Sequence, residues 1–305
     1  MSEESTDNSV SVVVCTWNRA TYLRRCLDSL IHQTLQSKEL IVVNGPSTDK
    51  TSQVIRDYPV TMVQQGDRKG LSEARNLGIA RATGDIIAFV DDDAIADPRW
   101  IENIESGYSN PKFGGVAGTV IGPNEVISVP GLFLVDQYGD YRFIAPEAGV
   151  GREALRICNG CNMSFRKSVL RLVGGFDPFY RYYHDEADLC VRIQRAGFLI
   201  DFCPKAVVRH AVAPSENRRQ VGYFLARSRA YFSLKNFGNE VGLMNLVLRD
   251  IWRLKADFLS VELQARTSGM PVPDRFVTLR DLMAGRIDGY LHGIEARGGS
   301  IPRQQ

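Results

Sequence analysis

The chain has little of what would mark a special environment. Its six cysteines in 305 residues are Cys15, Cys26, Cys158, Cys161, Cys190 and Cys203. They are too thinly spread for a disulfide scaffold, and a chain this long buries enough surface to do without staples. Reduced thiols are therefore expected. Every apolar run is interrupted by charge well before the roughly 18 residues a bilayer requires, which excludes a spanning helix. The opening MSEESTDNS has neither the basic start nor the apolar stretch of a secretory signal. A cytoplasmic location follows as the expectation, at most peripheral at the inner face of a membrane. Excess charge is missing too. With 37 Lys and Arg against 35 Asp and Glu, net +2, charge is no guide to a partner and no nucleic-acid partner is expected. Cys158 and Cys161 form a lone CxxC, and without a second CxxC or a His pair at zinc spacing it reads as a buried structural pair.

Hydrophobic residues at 44% and charged residues at 24% are those of a globular protein, and the length fits one main domain with an appendage. From Val10, VSVVVC is a continuous β-branched run, the pattern of a parallel strand buried on both faces. Tyr22, Leu23, Cys26, Leu27, Leu30 and Ile31 then recur at helical spacing. ELIVV up to Asn44, VTMV and DIIAFV supply three more strands. Between them lie a short helix to about Tyr58, with Ser47, Thr48 and Asp49 as caps, and a helix over LSEARNLGIARA that stops at Gly84. Strands alternating with helices predict a doubly wound parallel sheet, with ligands beyond the carboxyl ends of the strands. The loops TWNR and NGPSTD and the acidic run after DIIAFV then share one rim. From about 114 to 208 the chain is Gly-rich and irregular, with strand pieces at GGVAGTV, MSF and VVRH around a helix at 185–195. An acceptor site is expected there. Beyond Pro214 long helices are predicted at 219–237, 241–265 and 280–294.

Three carboxylates follow a buried strand directly in IIAFVDDDA, so their repulsion needs an offset, and a divalent cation is the simplest. The plainer alternative is a solvated loop whose acids cap a helix near Pro98. In HDEADLCVRIQRAG, the residues Asp185, Glu186 and Asp188 occupy the first turn of a helix, where its dipole favours acids. Capping alone leaves the preceding GGFDPFYRYYH without a purpose, whereas a carboxylate held in such an aromatic loop is a candidate general base. His210 closes AVVRH. A lone His is usually structural unless another metal ligand is in view.

Taken in order, VSVVVCTWNRATYLRRCLDSLIHQT, VVNGPSTDKT, GLSEARNLGIARATGDIIAFVDDDA, GCNMSFRKSVLRLVGGFDP and HDEADLCVRIQRAGF closely resemble the family-2 glycosyltransferases of GT-A fold over roughly residues 10–210. The resemblance implies an α/β fold, a Rossmann-like and mostly parallel sheet with flanking helices, plus a C-terminal helical extension. It divides the chain into a disordered tail at 1–9, a catalytic domain at 10–213 and a helical region at 214–305. The catalytic domain comprises a nucleotide-sugar half at 10–110 and an acceptor half at 111–213. Thr16, Asn18 and Arg19 are expected to line the nucleotide pocket, with Arg75 near the diphosphate, Asp91 near the ribose and Asp92 beside them. Asp93 matches the metal ligand of the DxD motif, and His210 a second ligand for Mn²⁺ or Mg²⁺. The family's acid after the second strand is matched here by Asn44 and Gly45, a departure that leaves the nucleotide base open. Asp185 then Glu186 match the family's acidic pair. Glu186 is taken as the base, with Asp185 and Asp188 as rivals and Asp188 also as an acceptor contact.

The implied activity is inverting transfer from a nucleotide-diphospho-sugar to a hydroxyl of a glycan or lipid-linked acceptor. A non-catalytic nucleotide-sugar-binding protein on the same scaffold is one alternative. A sugar nucleotidyltransferase is another, although TWNRATY lacks the Gly-rich basic loop of that class. In the tail, Met244, Val247, Ile251, Leu254, Phe258 and Val261 repeat at steps of three and four, an apolar seam that needs a partner. Neighbouring helices are expected to supply it, with a homodimer or a membrane surface as alternatives.

Overall fold

A computed structural model describes residues 8–67, 70–123, 127–129, 131–144, 154–211, 221–268 and 272–298. The chain divides into two compact units. One takes in the residues up to Leu134, Arg142–Arg181, and Leu189 onward through the last strand; the other takes Val135–Tyr141, Tyr182–Asp188 and the C-terminal helices.

The first unit is built on strands β1 (Val10–Thr16), β2 (Glu39–Asn44), β3 (Thr61–Gln64) and β4 (Ile86–Asp91), which lie in the order β3-β2-β1-β4, all parallel. Their apolar runs are continuous because both faces are covered. Val12 and Val14 pack with Leu23, Cys26 and Leu27 of α1 (Ala20–Ile31) and with Trp100 and Ile104 of α4 (Trp100–Ser106). On the opposite face Val13 meets Gly78 of α3 (Leu71–Arg81), where an added Cβ would stand 2.4 Å from its Cγ1. Only a glycine lets that helix lie so close. A short α2 (Thr51–Arg56) precedes β3, and Asp49 Oδ1 accepts a hydrogen bond from its first amide, Thr51 N, at 2.9 Å.

The sheet continues through β11 (Asn162–Arg166), β6 (Phe113–Ile121), β12 (Leu199–His210) and β5 (Ala94–Ala96), with β7 (Ile127–Val129) beside β6. Here directions mix: β11 is antiparallel to β4 and β6, and β12 runs parallel to β6. Buried Asn162 ties the turn of direction together. Its Nδ2 donates to Thr119 O and Ala206 O at 2.9 and 2.8 Å, and its Oδ1 accepts from Trp100 Nε1 at 2.9 Å. Strands β8 (Leu132–Val135), β9 (Tyr141–Ile144) and β10 (Arg156–Ile157) form a small second sheet, and α5 (Lys167–Val173) follows β11. The division between units runs through α6 (Asp185–Arg195). Residues 1–7 of the expected tail lie outside the described residues, but Ser9 at its end is held: its carbonyl accepts from Asp85 N at 2.8 Å and Ile86 N at 3.0 Å.

In the second unit, α7 (Val221–Val241) and α9 (Val272–Gly298) run parallel, and α8 (Leu243–Ser268) lies between them in the chain. Gly285, Gly289 and Gly293 press α9 onto α7. A Cβ at Gly289 would fall 2.3 Å from Arg227 O, and one at Gly293 3.0 Å from the Leu234 side chain. Helix α8 departs from the seam anticipated above. Met244 and Ile251 are exposed, Val247 and Leu254 only half-buried, and the buried positions are Leu246 and Asp250. Phe258 and Val261 lie outside the described side chains. Asp250 accepts from Tyr290 Oη at 2.8 Å and from Arg253 at 3.2 Å, so a polar network rather than an apolar seam docks this helix. Among the described residues no helix is long and apolar enough to cross a membrane.

Candidate functional site

Parallel pairing puts the carboxyl ends of β1, β2 and β4 at one edge: Thr16 lies opposite Asn44, and Cys15 opposite Asp91. The loop after β1 turns at Asn18, whose φ of 52° is tolerated by Asn better than by most side chains. Its Oδ1 accepts from Thr48 N at 2.8 Å, locking this loop to the one after β2. Asn44, fully buried, completes the tie by donating to Ser52 Oγ at 2.9 Å and Gln64 Oε1 at 3.2 Å and accepting from Ser47 Oγ at 2.8 Å. Asn18 and Asn44 thus spend these amide groups on shaping the rim.

The acids after β4 are held from several sides. Thr16 Oγ1 donates to Asp92 at 2.7 Å, and the Arg19 guanidinium reaches Asp92 at 3.3 Å and Asp93 at 2.8 Å. Arg75, buried, donates to Gly160 O at 3.1 Å, stacks on Phe176 with 5.3 Å to the ring centroid, and stands 3.9 Å from Asp91. His210 arrives by register: it pairs with Ala94 across β12 and β5, which brings its Nε2 to 2.9 Å from Asp93 and 3.9 Å from Asp91. One residue was missed as a site member. Antiparallel pairing sets Asn162 opposite Val90, so Cys161 comes beside Asp91, and the ligand atoms of Asp91, Cys161 and His210 all lie within 4.8 Å of one another. Nothing in the local sequence signals this, because the contact is made across strands 70 residues apart in the chain (161 against 91).

The electrostatics are those of a site short of positive charge. Burial pushes the Asp92 carboxyl up to about 7 although Arg19 and Thr16 oppose it. Loss of water also raises Asp91 above its ordinary value, against the pull of Arg75. The hydrogen bond to Asp93 raises His210. A divalent cation with oxygen and imidazole ligands would relieve this imbalance, so the donor set fits one. Cys161 fits a hard cation less well, since burial raises its thiol well above the ordinary range and keeps it protonated.

In the second unit the acidic group sits behind a strained turn. Tyr183 and His184 have φ of 65° and 62°, a left-handed pair without glycine. His184 is buried between the rings of Tyr141 and Phe232 at 4.9 and 5.6 Å, and its Nε2 donates to Gly139 O at 2.9 Å. Its Nδ1 is buried with no hydrogen-bond partner among the described residues, and burial lowers the ring's pKa to about 4. Helix α6 starts at the next residue. Asp185 is buried, and Asp188 is fully buried, 2.8 Å from Lys235 Nζ and accepting from Asn236 at 3.0 Å. Glu186, half-buried, keeps the most access to solvent of the three.

A mostly parallel α/β sheet with an acid cluster and a cation-fitting donor set at its carboxyl edge defines a GT-A type transferase domain. Comparison with known proteins agrees. The Glycosyl transferase family 2 model matches residues 11–174, and the chain belongs to that family and is a glycosyltransferase. It is 32% identical over 235 residues to the glucosyl-dolichyl phosphate glucuronosyltransferase of Haloferax volcanii, covering 72% of this chain and 74% of that protein. It is 24% identical over 208 residues to the O-antigen chain rhamnosyltransferase RfbN of Salmonella typhimurium, covering 66% of each. Among solved structures, the mannosyltransferase PcManGT of Pyrobaculum calidifontis, in complex with GDP-Man and Mn²⁺, superposes with a TM-score of 0.57 at 19% identity over 92% of this chain and 86% of that one. The expected fold class is thereby met.

Proposed function

We propose that this protein transfers a sugar from a nucleotide-diphospho-sugar to a hydroxyl of a lipid-linked or glycan acceptor, with inversion and with the help of a divalent cation. The observation that carries the reading is the cluster of Asp91, Asp93 and His210 at the carboxyl edge of the sheet, where burial pushes the Asp91 carboxyl, and that of neighbouring Asp92, upward. Relatives named for a dolichyl-phosphate sugar and for an O-antigen chain support an acceptor carried on a lipid or glycan. Asp93 and His210, with Asp91 beside them, would hold Mn²⁺ or Mg²⁺, which as a Lewis acid would neutralise the departing diphosphate.

Thr16 and Arg19 fix the acids in place, while Asn18 and Asn44 shape the loops against which the nucleotide lies. Arg75 offers a buried positive charge beside Asp91 for the diphosphate. Glu186 takes the proton of the acceptor hydroxyl, a role its partial exposure suits. Asp188, already paired with Lys235, suits acceptor contact or base work less. Asp185 remains the rival base.

Two variants test the assignment. Asp93→Asn should abolish both transfer and the Mn²⁺ perturbation of a paramagnetic or calorimetric titration while the chain stays folded; an active, metal-dependent variant refutes the ligand. Glu186→Gln should bind donor and metal as before but lose at least about 10²-fold in turnover, the usual cost of losing a general base. Near-normal turnover would move the role to Asp185.

A further inference from the structure

Helix α8 is inside out. Its inward side carries Leu246, Asp250 and Arg253, and Arg253 is bonded to Tyr138 O at 3.1 Å and ion-paired to Asp140. Its outward side carries Met244, Leu248, Ile251, Trp252 and Leu259, all exposed, Met244 and Trp252 to 71%. At helical spacing these five fall within an arc of about 100°, opposite the buried side. Single exposed apolar side chains are ordinary, but five on one face mark a surface that something covers.

The charges on the helix say what covers it. Among the described side chains of α8 the exposed charges are Arg249 and Lys255, while the acid Asp250 is buried. Lys255 shares the apolar arc and holds its ammonium 5.8 Å from the centroid of the Trp252 ring. A lysine in the middle of an apolar stripe is costly in a dry protein interface. At a bilayer its stem lies with the acyl chains and its head reaches the phosphates, while an indole prefers that same boundary.

We propose that the outward face of α8 docks on an anionic phospholipid surface, lying in the plane of the interface. The docking deepens the reading of a lipid-linked acceptor, which it would bring within reach of the enzyme. It does not depend on catalysis.

The test is co-flotation of the full chain with vesicles of phosphatidylcholine, with and without phosphatidylglycerol. Binding to the anionic vesicles, at least tenfold weaker with the neutral ones, is expected. The double variant Leu248→Ser/Trp252→Ser should lose at least tenfold in partitioning while its circular dichroism and thermal unfolding match the parent, since both side chains are exposed. Arg249→Glu/Lys255→Glu should weaken binding to anionic vesicles only. No flotation, or flotation that the double variant leaves unchanged, overturns the proposal. So does concentration-dependent dimerisation in light scattering that the double variant abolishes, because the surface would then belong to a second copy. Flotation is read without turnover, so a chain that floats but shows no transfer overturns the proposed function alone.

Discussion

Because His184 is buried in its neutral form, acid should destabilise this protein through one residue. Its pKa falls from 6.5 to about 4 on folding, mainly because burial penalises the charged ring. A base whose folded pKa is depressed binds fewer protons folded than unfolded throughout that window, so stability rises with pH there. Its contribution is intact above about 6.5 and is lost as pH falls towards 4. At about 1.4 kcal/mol for each unit, the full loss is roughly 3 kcal/mol, of which about 2 kcal/mol is already gone at pH 5. His184→Asn tolerates the left-handed backbone and cannot titrate. At pH 7.5 it should be less stable than the parent, having lost the contacts with Tyr141 and Phe232. By pH 5 the gap should shrink by about 2 kcal/mol or reverse. Urea unfolding followed by circular dichroism at both pH values reads this directly. A gap that is the same at both would refute the argument. Since His184 closes the turn leading into Asp185 and Glu186, the variant should also lower kcat more than donor affinity.

Two further outcomes follow from packing and ligand chemistry. Gly289→Val places side-chain atoms where the Arg227 carbonyl already stands, and because backbone cannot swing aside it should cost about 1–3 kcal/mol in urea unfolding; an unchanged midpoint would deny the close approach of α7 and α9. Cys161→Ser should leave Mn²⁺-dependent transfer within a fewfold of the parent but relieve inhibition by Zn²⁺, which takes thiolate ligands far more readily than manganese does. Equal Zn²⁺ sensitivity in both proteins would remove Cys161 from the metal's surroundings.

Much of the first unit was determined by local pattern. VSVVVC, ELIVV and DIIAFV are apolar on both faces, and such runs are strands only in a sheet covered on both sides, so the acids following the last of them had to sit at its ligand edge. The helices after Pro214 were likewise legible from their spacing. Tertiary structure decided what depends on contacts distant in the chain. Strand register brought His210 to Asp93 and Cys161 to Asp91, and no local motif encodes a register between strands so far apart. Burial sorted the acids of α6, consigning Asp188 to Lys235 and leaving Glu186 accessible. Helix α8 shows the limit most plainly, because periodicity finds an apolar stripe but cannot say which way it points: the docking of Asp250 and Arg253 left Val247 and Leu254 of the expected seam half-buried and turned Met244 and Ile251, with Leu248 and Trp252 beside them, outward.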